Sequence, residues 1–243
     1  MRIVLELSYL GTEYHGWQIQ PNVTTVQGKL CEALTKIYSE PTVCYGCSRT
    51  DAGVHAKSFV CHFDTEKPFA LERLPLALNA NLPKDIAVIS AKEAGEDFHS
   101  RFSAKRKTYE YLVWNGKTRN ALLSSRALHF PYALDRELME KAAGHFVGTY
   151  DFSAFMAQGS QTTTTVRTVY EAKTKWDGEL MRFTVTGNGF LYNMVRIMVG
   201  TLLYVGQGKI APDGIPEIIA SLDRTKAGPT AEPQGLYLAK VEY

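Results

Sequence analysis

The sequence lacks a long uninterrupted apolar run. Its longest apolar stretch, MVRIMVGTLLYVG, is broken by Arg196. The N-terminal MRIVLELSYLG alternates polar and apolar residues and carries charge at Arg2 and Glu6. That segment is too short and too polar for a signal peptide or a membrane span. We therefore expect a cytoplasmic protein that does not associate with a membrane.

Cysteine is also scarce, with four residues in the chain. Cys44 and Cys47 have C-x2-C spacing, and Cys61-His62 follows. A structural zinc site usually requires a second closely spaced pair of ligands. Cys61 and His62 lie in an alternating strand pattern, so their side chains point to opposite faces and do not readily share a metal. The prediction is reduced thiols in a core and no metal site.

Charge of one sign is not in excess either. The chain has 27 Lys and Arg against 25 Asp and Glu, which gives a net charge of +2. Any contact with a nucleic acid must therefore come from local basic patches rather than from global charge. A length of 243 residues with 45% hydrophobic residues predicts an ordered chain of one large domain or two ordinary ones.

The first part of the chain predicts the element order β-α-β-β-α-β. Alternation over residues 3–10 is typical of a strand. Thr24 and Gln27 have the spacing of a capping box before an apolar helical repeat that starts at Val26. The remaining pattern predicts strands over 42–46, 59–63 and 86–91, and a short helix over 70–78.

The same order recurs in the second part. Asp135 precedes a helical repeat, and Asp177-Gly178 is a hairpin turn signal between two alternating segments. The pattern predicts strands over 108–114, 166–176, 180–186 and 236–241, and helices over 193–205 and 215–222. We predict an α+β fold of two ferredoxin-like halves with antiparallel sheets, residues 1–104 and 105–243, with an active-site cleft between them.

Reactive side chains are concentrated in CYGCSRTDAGVHA, residues 44–56, between the second and third predicted strands. Thr50, Asp51 and Gly53 are typical turn residues. An aspartate next to an arginine such as Arg49 stays ionised at neutral pH, and a carboxylate can act as a nucleophile without an activating base. No specific third partner supports a nucleophile pair with His55. From the residues alone, both a polar loop and a reactive carboxylate remain open.

The segment SRTDAGVHA resembles the signature of the tRNA pseudouridine synthase A family, usually written GRTDAGVHA. Further blocks that resemble the family follow in family order across nearly the whole chain: YLGTEYHGWQIQP, VQGKLCEAL, NANLPKDIAV, FHSRFSAKRKTYEY, GNGFLYNMVRIMVGTLL and AEPQGLYLAKVEY. Ser48 stands where many members have glycine. A loop that required a positive φ at that position would be strained.

The resemblance implies a reaction without a cofactor. A uridine of tRNA is cleaved at its N-glycosidic bond, and the base turns and rejoins the ribose through C5. Asp51 would be the nucleophile, attacking either the base or the ribose, and Arg49 would brace it and help hold the flipped nucleotide. Tyr109 matches the tyrosine that packs on the target base. The family acts as a homodimer on the anticodon stem-loop, at positions 38 to 40 of tRNA.

Other candidate substrate-binding residues have simpler alternatives. Tyr109 could be a core aromatic of its strand. Arg196, inside an apolar helix, could pair with a carboxylate of the active cleft or extend to water at a helix edge. The basic run that precedes Tyr109 could bind phosphates or form a solvated face. Its members are Arg101, Lys105, Arg106 and Lys107.

Two other functions fit parts of the sequence. Two RNA recognition motifs would share the element order, but they need aromatic signatures on central strands, and residues 57–63 match only out of register. A nucleoside hydrolase could use the same aspartate. Free uracil as product would indicate the hydrolase, and chemistry dependent on Asp51 would exclude the binding module.

Overall fold

The computed structural model describes residues 1–159 and 162–243 and divides the chain into two compact units. The first comprises Met1–Lys105 together with Tyr237–Tyr243, and the second comprises Arg106–Leu236. The C-terminal residues thus belong to the first unit, whereas the sequence pattern assigned them to the second half. Within the described ranges, no helix has the length and apolar character needed to cross a bilayer.

The first unit begins with the predicted order of elements. These are β1 (Arg2–Tyr9), α1 (Val26–Tyr38), β2 (Tyr45–Gly46), β3 (His55–Asp64), α2 (Leu74–Asn79) and β4 (Ile86–Ala94). Strand β1 lies between β3 and β4 and pairs antiparallel with both, and β2 pairs antiparallel with β3. Side chains of β1 and β3, including Leu5, Leu7, Phe59 and Phe63, are fully buried and form the core.

Two local predictions in this unit were wrong in detail. The cap of α1 is Thr25 rather than Thr24, since the Thr25 side chain accepts a hydrogen bond from the Gly28 amide. Gln27 does not close a capping box. Its side chain accepts from the amide of Ile19 and donates to the carbonyl oxygen of Cys44, at 2.8 and 2.7 Å. The strand predicted over 42–46 is shorter in the structure, where it is β2. Thr42 lies outside the strand: its amide donates to the Thr35 hydroxyl and its own hydroxyl donates to the Glu40 carbonyl.

The second unit contains β5 (Arg106–Trp114), β6 (Leu128–His129), α3 (Arg136–Gly144), β7 (Gly148–Asp151), β8 (Val166–Asp177), β9 (Leu180–Gly187), α4 (Met194–Gly206) and α5 (Ile215–Ser221). Its strands run in the order β5-β9-β8-β7, with antiparallel neighbours. The predicted cap at Asp135 is confirmed by its bond from the Leu138 amide, and the hairpin turn by the positive φ of Gly178. The sequence pattern missed β6 and β7, which are too short to show alternation.

The last strand, β10 (Leu236–Glu242), pairs in parallel with β3, where Tyr237 lies opposite His55. At its other end, the Glu242 carbonyl accepts from the Lys105 amide at 2.8 Å. The Tyr243 hydroxyl donates to the Ser100 carbonyl oxygen at 2.7 Å. A parallel partner so distant in sequence leaves no local signal, so only the strand itself was predictable.

His62 of β3 is a buried titratable side chain of the first unit, with 2% of its surface exposed. Burial, helped by the charges of His99 and Arg2, lowers the pKa of His62 from 6.5 to about 4. Between these values the unfolded chain binds a proton that the folded chain does not. The stability of the protein must therefore fall as the pH decreases through that window.

We predict that going from pH 7 to pH 5 costs on the order of 1 to 2 kcal/mol of unfolding free energy through His62 alone. His62→Asn should lose this part of the pH dependence, while His15→Asn, which replaces an exposed histidine, should retain it. Urea unfolding at the two pH values measures the difference. Equal pH dependence in the His62 variant and the parent would contradict the assignment.

Candidate active-site loop

The motif forms the connection between β2 and β3, residues 48–54, termed here the Asp51 loop. Its start is fixed where the Cys47 amide donates to the Val60 carbonyl at 2.8 Å. Its end is fixed where β3 begins at His55. Both limits are bonded to or part of β3, which pairs with β1, β2 and β10, so the loop leaves and re-enters the sheet.

A tight turn lies at the centre of this loop. The Val54 amide donates to the Asp51 carbonyl at 3.2 Å, and Gly53 has φ of 78°. A positive φ at the third residue is the requirement of a type II turn, which favours glycine. The prediction that Gly53 supplies this conformation is confirmed. Asp51 is therefore the first residue of a defined turn rather than part of a flexible tip.

Residues 10–17, termed the supporting segment, hold the loop through main-chain bonds. The Trp17 amide donates to the Thr50 carbonyl at 3.1 Å, and the Gly53 amide donates to the Tyr14 carbonyl at 3.2 Å. These two bonds lie on either side of Asp51. In addition, the hydroxyls of Tyr9 and Thr50 are hydrogen-bonded at 2.8 Å in a buried position.

Close contact between the two segments requires glycine. A Cβ on Gly16 would lie 2.3 Å from the Thr50 carbonyl oxygen, and one on Gly11 would lie 2.0 Å from that of Val54. Gly16 also has a φ of 81°. Neither contact could be relieved by turning a side chain, since both involve main-chain oxygen atoms.

The supporting segment is itself attached to the sheet. Trp17 stacks on Phe59 of β3 with ring centroids 4.0 Å apart. The Tyr14 hydroxyl donates to Asp85 at 2.6 Å, and the Asp85 carbonyl accepts from the Leu10 amide. Burial and this hydrogen bond raise the pKa of Tyr14. The supporting segment therefore lies between the Asp51 loop and the sheet and attaches one to the other.

His55 is part of this framework. Its ring is fully buried, Nδ1 accepts a hydrogen bond from the Gly11 amide at 2.8 Å, and the ring lies 4.7 Å from that of Tyr237. Because Nδ1 is an acceptor, a neutral His55 carries its proton on Nε2. The residue thus links β3 to the supporting segment. This structural contact is sufficient to account for a histidine in the motif.

The side chains at the front of the loop differ in exposure. Arg49 and Ala52 are exposed, and Asp51 is half-buried between the buried residues Thr50 and Val54. The backbone of Ser48 does not have the positive φ that would strain a serine at this position. The described non-glycine residues with positive φ are Asn22, Ser39, Asn193 and Leu222. Serine in place of the usual glycine therefore leaves this backbone conformation accessible.

Tyr109 lies on β5 of the second unit, opposite Val185 of β9. It is 7% exposed, and its ring meets that of Phe190 edge-on at 5.2 Å. Tyr111, on the same strand face, is fully buried and donates its hydroxyl to the Glu232 carbonyl at 2.6 Å. The two tyrosines thus share a face, as predicted, but the environment of Tyr111 is that of the core.

Arg196 lies half-buried in α4 of the second unit. Its Nε donates to the Ala231 carbonyl at 2.7 Å, and its Nη1 donates to the Asn193 side chain at 2.8 Å. The Ala231 amide donates in turn to the Arg196 carbonyl. The guanidinium is therefore held by protein acceptors rather than simply extended to solvent.

The basic run crosses the boundary between the units at Lys105 and Arg106. Arg101, Lys105 and Arg106 are exposed, and Lys107 is half-buried. The Arg106 guanidinium lies over the Tyr170 ring at 4.6 Å. The first unit therefore contains Arg49, Asp51, Arg101 and Lys105, and the second contains Arg106, Lys107, Tyr109 and Arg196.

The cysteines lie within the first unit. Cys44, Cys47 and Cys61 are buried, and the sulfur atoms of Cys31 and Cys44 are 3.6 Å apart. The hydrogen bond with Cys44 and burial raise the pKa of the Cys31 thiol, which opposes formation of a thiolate ligand. No group of three His, Cys, Asp or Glu side chains is arranged for a metal ion in the described part of the chain.

Comparison with known proteins decides the family. The tRNA pseudouridine synthase family matches residues 7–103 and 142–243. The chain belongs to the tRNA pseudouridine synthase A family. It is 48% identical over 241 residues to the tRNA pseudouridine synthase A of Thermoanaerobacter sp., with 99% of both chains covered. The enzyme of that name from Ruminiclostridium cellulolyticum is 48% identical over 244 residues, and that from Bacillus pumilus 45% over 247, again with 99% of each relative covered.

Sequence reasoning recognised the Asp51 loop but missed the role of the supporting segment. The segment was quoted only as a block that resembles the family. Its local signal is the pair Gly11 and Gly16 flanking aromatic residues, since glycines in such a context permit close backbone approach. What the pair approaches could not be read from the sequence.

We predict that Gly16→Ala disturbs the Asp51 loop selectively. The new Cβ would displace the Thr50 carbonyl and weaken its bond from Trp17, so activity should fall by roughly 100-fold. Gly144→Ala is the matched control, because a Cβ there meets nothing within 4 Å. Pseudouridine formation and thermal unfolding are measured together. Full activity in the Gly16 variant would show that this contact does not hold the loop.

Proposed function

We propose that this protein converts uridine to pseudouridine in tRNA, with Asp51 as the nucleophile. One observation carries the proposal beyond family membership. Asp51 begins a turn that is hydrogen-bonded to the supporting segment on both sides, through Thr50 and Gly53, while its own side chain is half-buried. A main chain fixed in this way preorganises the position from which the carboxylate attacks, since the loop loses little conformational freedom in the transition state.

The reaction requires that the glycosidic bond breaks and that the base rejoins the ribose through C5. The carboxylate of Asp51 would form a covalent bond with the base or with the ribose, and the choice between them stays open. That bond would break again before the product leaves, which regenerates the carboxylate. Rejoining at C5 then requires loss of the C5 proton to a base. The balance of the reaction needs no oxidant, reductant or resident cofactor, because the product is an isomer of the substrate.

The other residues receive roles in the same scheme. Arg49 would brace Asp51 and help to hold the extruded nucleotide, which costs a few kcal/mol to unstack. Tyr109 would pack on the target base. Arg196, which already orders α4 against Ala231, would support the substrate pocket. Phosphates of the RNA would be bound by Arg101, Lys105, Arg106 and Lys107.

The substrate is further proposed to be the anticodon stem-loop of tRNA, at positions 38 to 40, recognised largely through its shape. A homodimer would bring two basic runs to one RNA, which suits a chain with a net charge of only +2. We also propose a cytoplasmic location. At the level of fold, the order β4-β1-β3-β2 supports describing the first unit as a ferredoxin-like half, with a counterpart in the second unit.

The alternative of a non-catalytic pair of RNA recognition motifs is not favoured. Such motifs stack bases on exposed aromatic side chains of central strands. Phe59 and Phe63 of β3 are both 0% exposed, so neither ring is available to a base. The alternative of a nucleoside hydrolase shares Asp51 and is distinguished by its product.

Asp51→Asn tests the nucleophile. It keeps the shape of the side chain and removes its charge, so release of tritium from tRNA labelled at uridine C5 should fall by roughly 1,000-fold or more. Affinity for tRNA should be nearly unchanged. Asp97→Asn, at an exposed acid of the same unit, should behave as the parent.

Appreciable turnover by an Asn variant verified as non-deamidated would remove the nucleophile assignment. Release of free uracil by the parent, with no carbon-linked product, would indicate the hydrolase instead.

Substitution of Tyr109 separates two possible roles of its side chain. Tyr109→Phe keeps the stacking face and loses the hydroxyl, whereas Tyr109→Leu loses both. If the hydroxyl handles the C5 proton, Phe should complete glycosidic cleavage yet release product at least 10-fold more slowly. If stacking is the whole role, Phe should retain most activity and Leu little.

Single-turnover kinetics on saturating tRNA make this comparison. Tyr111→Phe is the control, because loss of its bond to the Glu232 carbonyl should cost about 1 kcal/mol of stability without slowing the chemistry. Full activity in Tyr109→Leu would remove Tyr109 from the active site.

A further inference from the structure

Four aromatic rings form a cluster in the first unit, termed here the aromatic platform: Tyr45, His62, His99 and Phe102. Tyr45 stacks on His62 at 5.3 Å, His62 meets His99 at 4.7 Å, and His99 meets Phe102 at 4.4 Å. The two ends of this row are the most exposed. Tyr45 is 51% exposed and Phe102 is 76% exposed.

Hydrogen bonds hold the middle of the platform, while its ends face solvent. The Ser100 hydroxyl donates to the Tyr45 carbonyl at 2.6 Å, and the Ser100 amide donates to His62 Nδ1. His99 Nδ1 accepts from the amides of Arg101 and Phe102 at 3.1 and 3.4 Å. The two histidine rings are therefore fixed by hydrogen bonds to the turn at 99–102, and Phe102 packs on one of them, which lowers the entropy lost on binding a flat ligand.

Neither the core nor the Asp51 loop explains an exposed phenyl ring at Phe102. Arg101 places its guanidinium 5.5 Å from the centre of that ring. Exposed rings next to an arginine are typical of surfaces on which unpaired bases stack. Glu96 and Asp97 are also exposed just before this turn, so the local charge is mixed.

Tyr45 lies three residues before the Asp51 loop, whereas Phe102 belongs to neither the loop nor the supporting segment. Phe102 packs on His99, which meets His62, and His62 lies seven residues of strand, about 23 Å, beyond His55 at the end of the loop. A base stacked on Phe102 would therefore differ from the base that reacts at Asp51. It would be a second nucleotide of the same RNA.

We propose that the aromatic platform is a second RNA-binding site, at which the exposed ring of Phe102 stacks on an unpaired base of the tRNA substrate. The site rests on the proposed function, since it assumes that tRNA is bound. It adds a sequence-tolerant contact, because every base offers a flat face to an aromatic ring. Such a contact would fix the position of the RNA without reading its sequence.

Binding measurements on the full chain with Asp51→Asn as background test the site, because turnover is then removed from the readout. The probe is an unmodified tRNA transcript. Phe102→Ala should weaken binding roughly 5- to 100-fold, and Phe102→Trp should retain most of the affinity. Leu76→Ala is the control, since Leu76 is 73% exposed in the same unit and carries no ring.

The salt dependence separates stacking from phosphate contact. In Phe102→Ala, the slope of log Kd against log salt should equal that of the parent, because no phosphate contact is lost. Equal affinities of Phe102→Ala and the parent would overturn the site while leaving the proposed function intact. A parent that fails to bind the transcript would overturn both. A changed oligomeric state of Phe102→Ala in sedimentation would assign the face to contacts between copies and also overturn the site.

Discussion

Two main-chain hydrogen bonds, from Trp17 to Thr50 and from Gly53 to Tyr14, are the constraint on which the candidate site depends. They lie on either side of Asp51 and join its loop to the supporting segment. Each would contribute only about 1 kcal/mol to stability. Their importance is geometric, because together they fix the main chain from which the Asp51 carboxylate extends.

This constraint originates in the sheet. Pairing of β1 with β3 places Tyr9 opposite Ala56, so the chain that leaves β1 passes the end of the Asp51 loop. Stacking of Trp17 on Phe59 then holds that chain against the sheet. On the other side of β3, Tyr237 of β10 packs on His55, which in turn accepts from Gly11. The last strand of the chain thus supports a loop near its beginning.

Long periodic segments allowed most of the fold to be predicted. The alternation of β1, β8 and β9 and the helical repeats of α1 and α4 are strong local signals, and the elements lie where those signals are. The failures at β6, β7 and β10 share one cause, which is dependence on distant partners. Strands β6 and β7 exist through pairing with β5 and β8, and β10 lies in the first unit because β3 accepts it in parallel.

The site divides in the same way. Gly53 and the polarity of the Asp51 loop follow from local residue preferences, so the sequence predicted them correctly. The need for glycine at positions 11 and 16 follows from the main-chain oxygen atoms of Val54 and Thr50. Those atoms are about forty residues away from the two glycines in the chain. No local sequence signal indicates that they come close to the glycines.

Because main-chain bonds hold the Asp51 loop, some of its side chains remain available to a substrate. The bonds that hold the Asp51 loop include those of main-chain amides and carbonyls and that of the buried Thr50 hydroxyl, which faces Tyr9. Arg49 and Ala52 are exposed. These bonds do not involve the side chain of Asp51, so a substitution of that residue leaves them in place. Serine at position 48 is compatible with the loop for a different reason, since its backbone lies outside the left-handed region that would demand glycine.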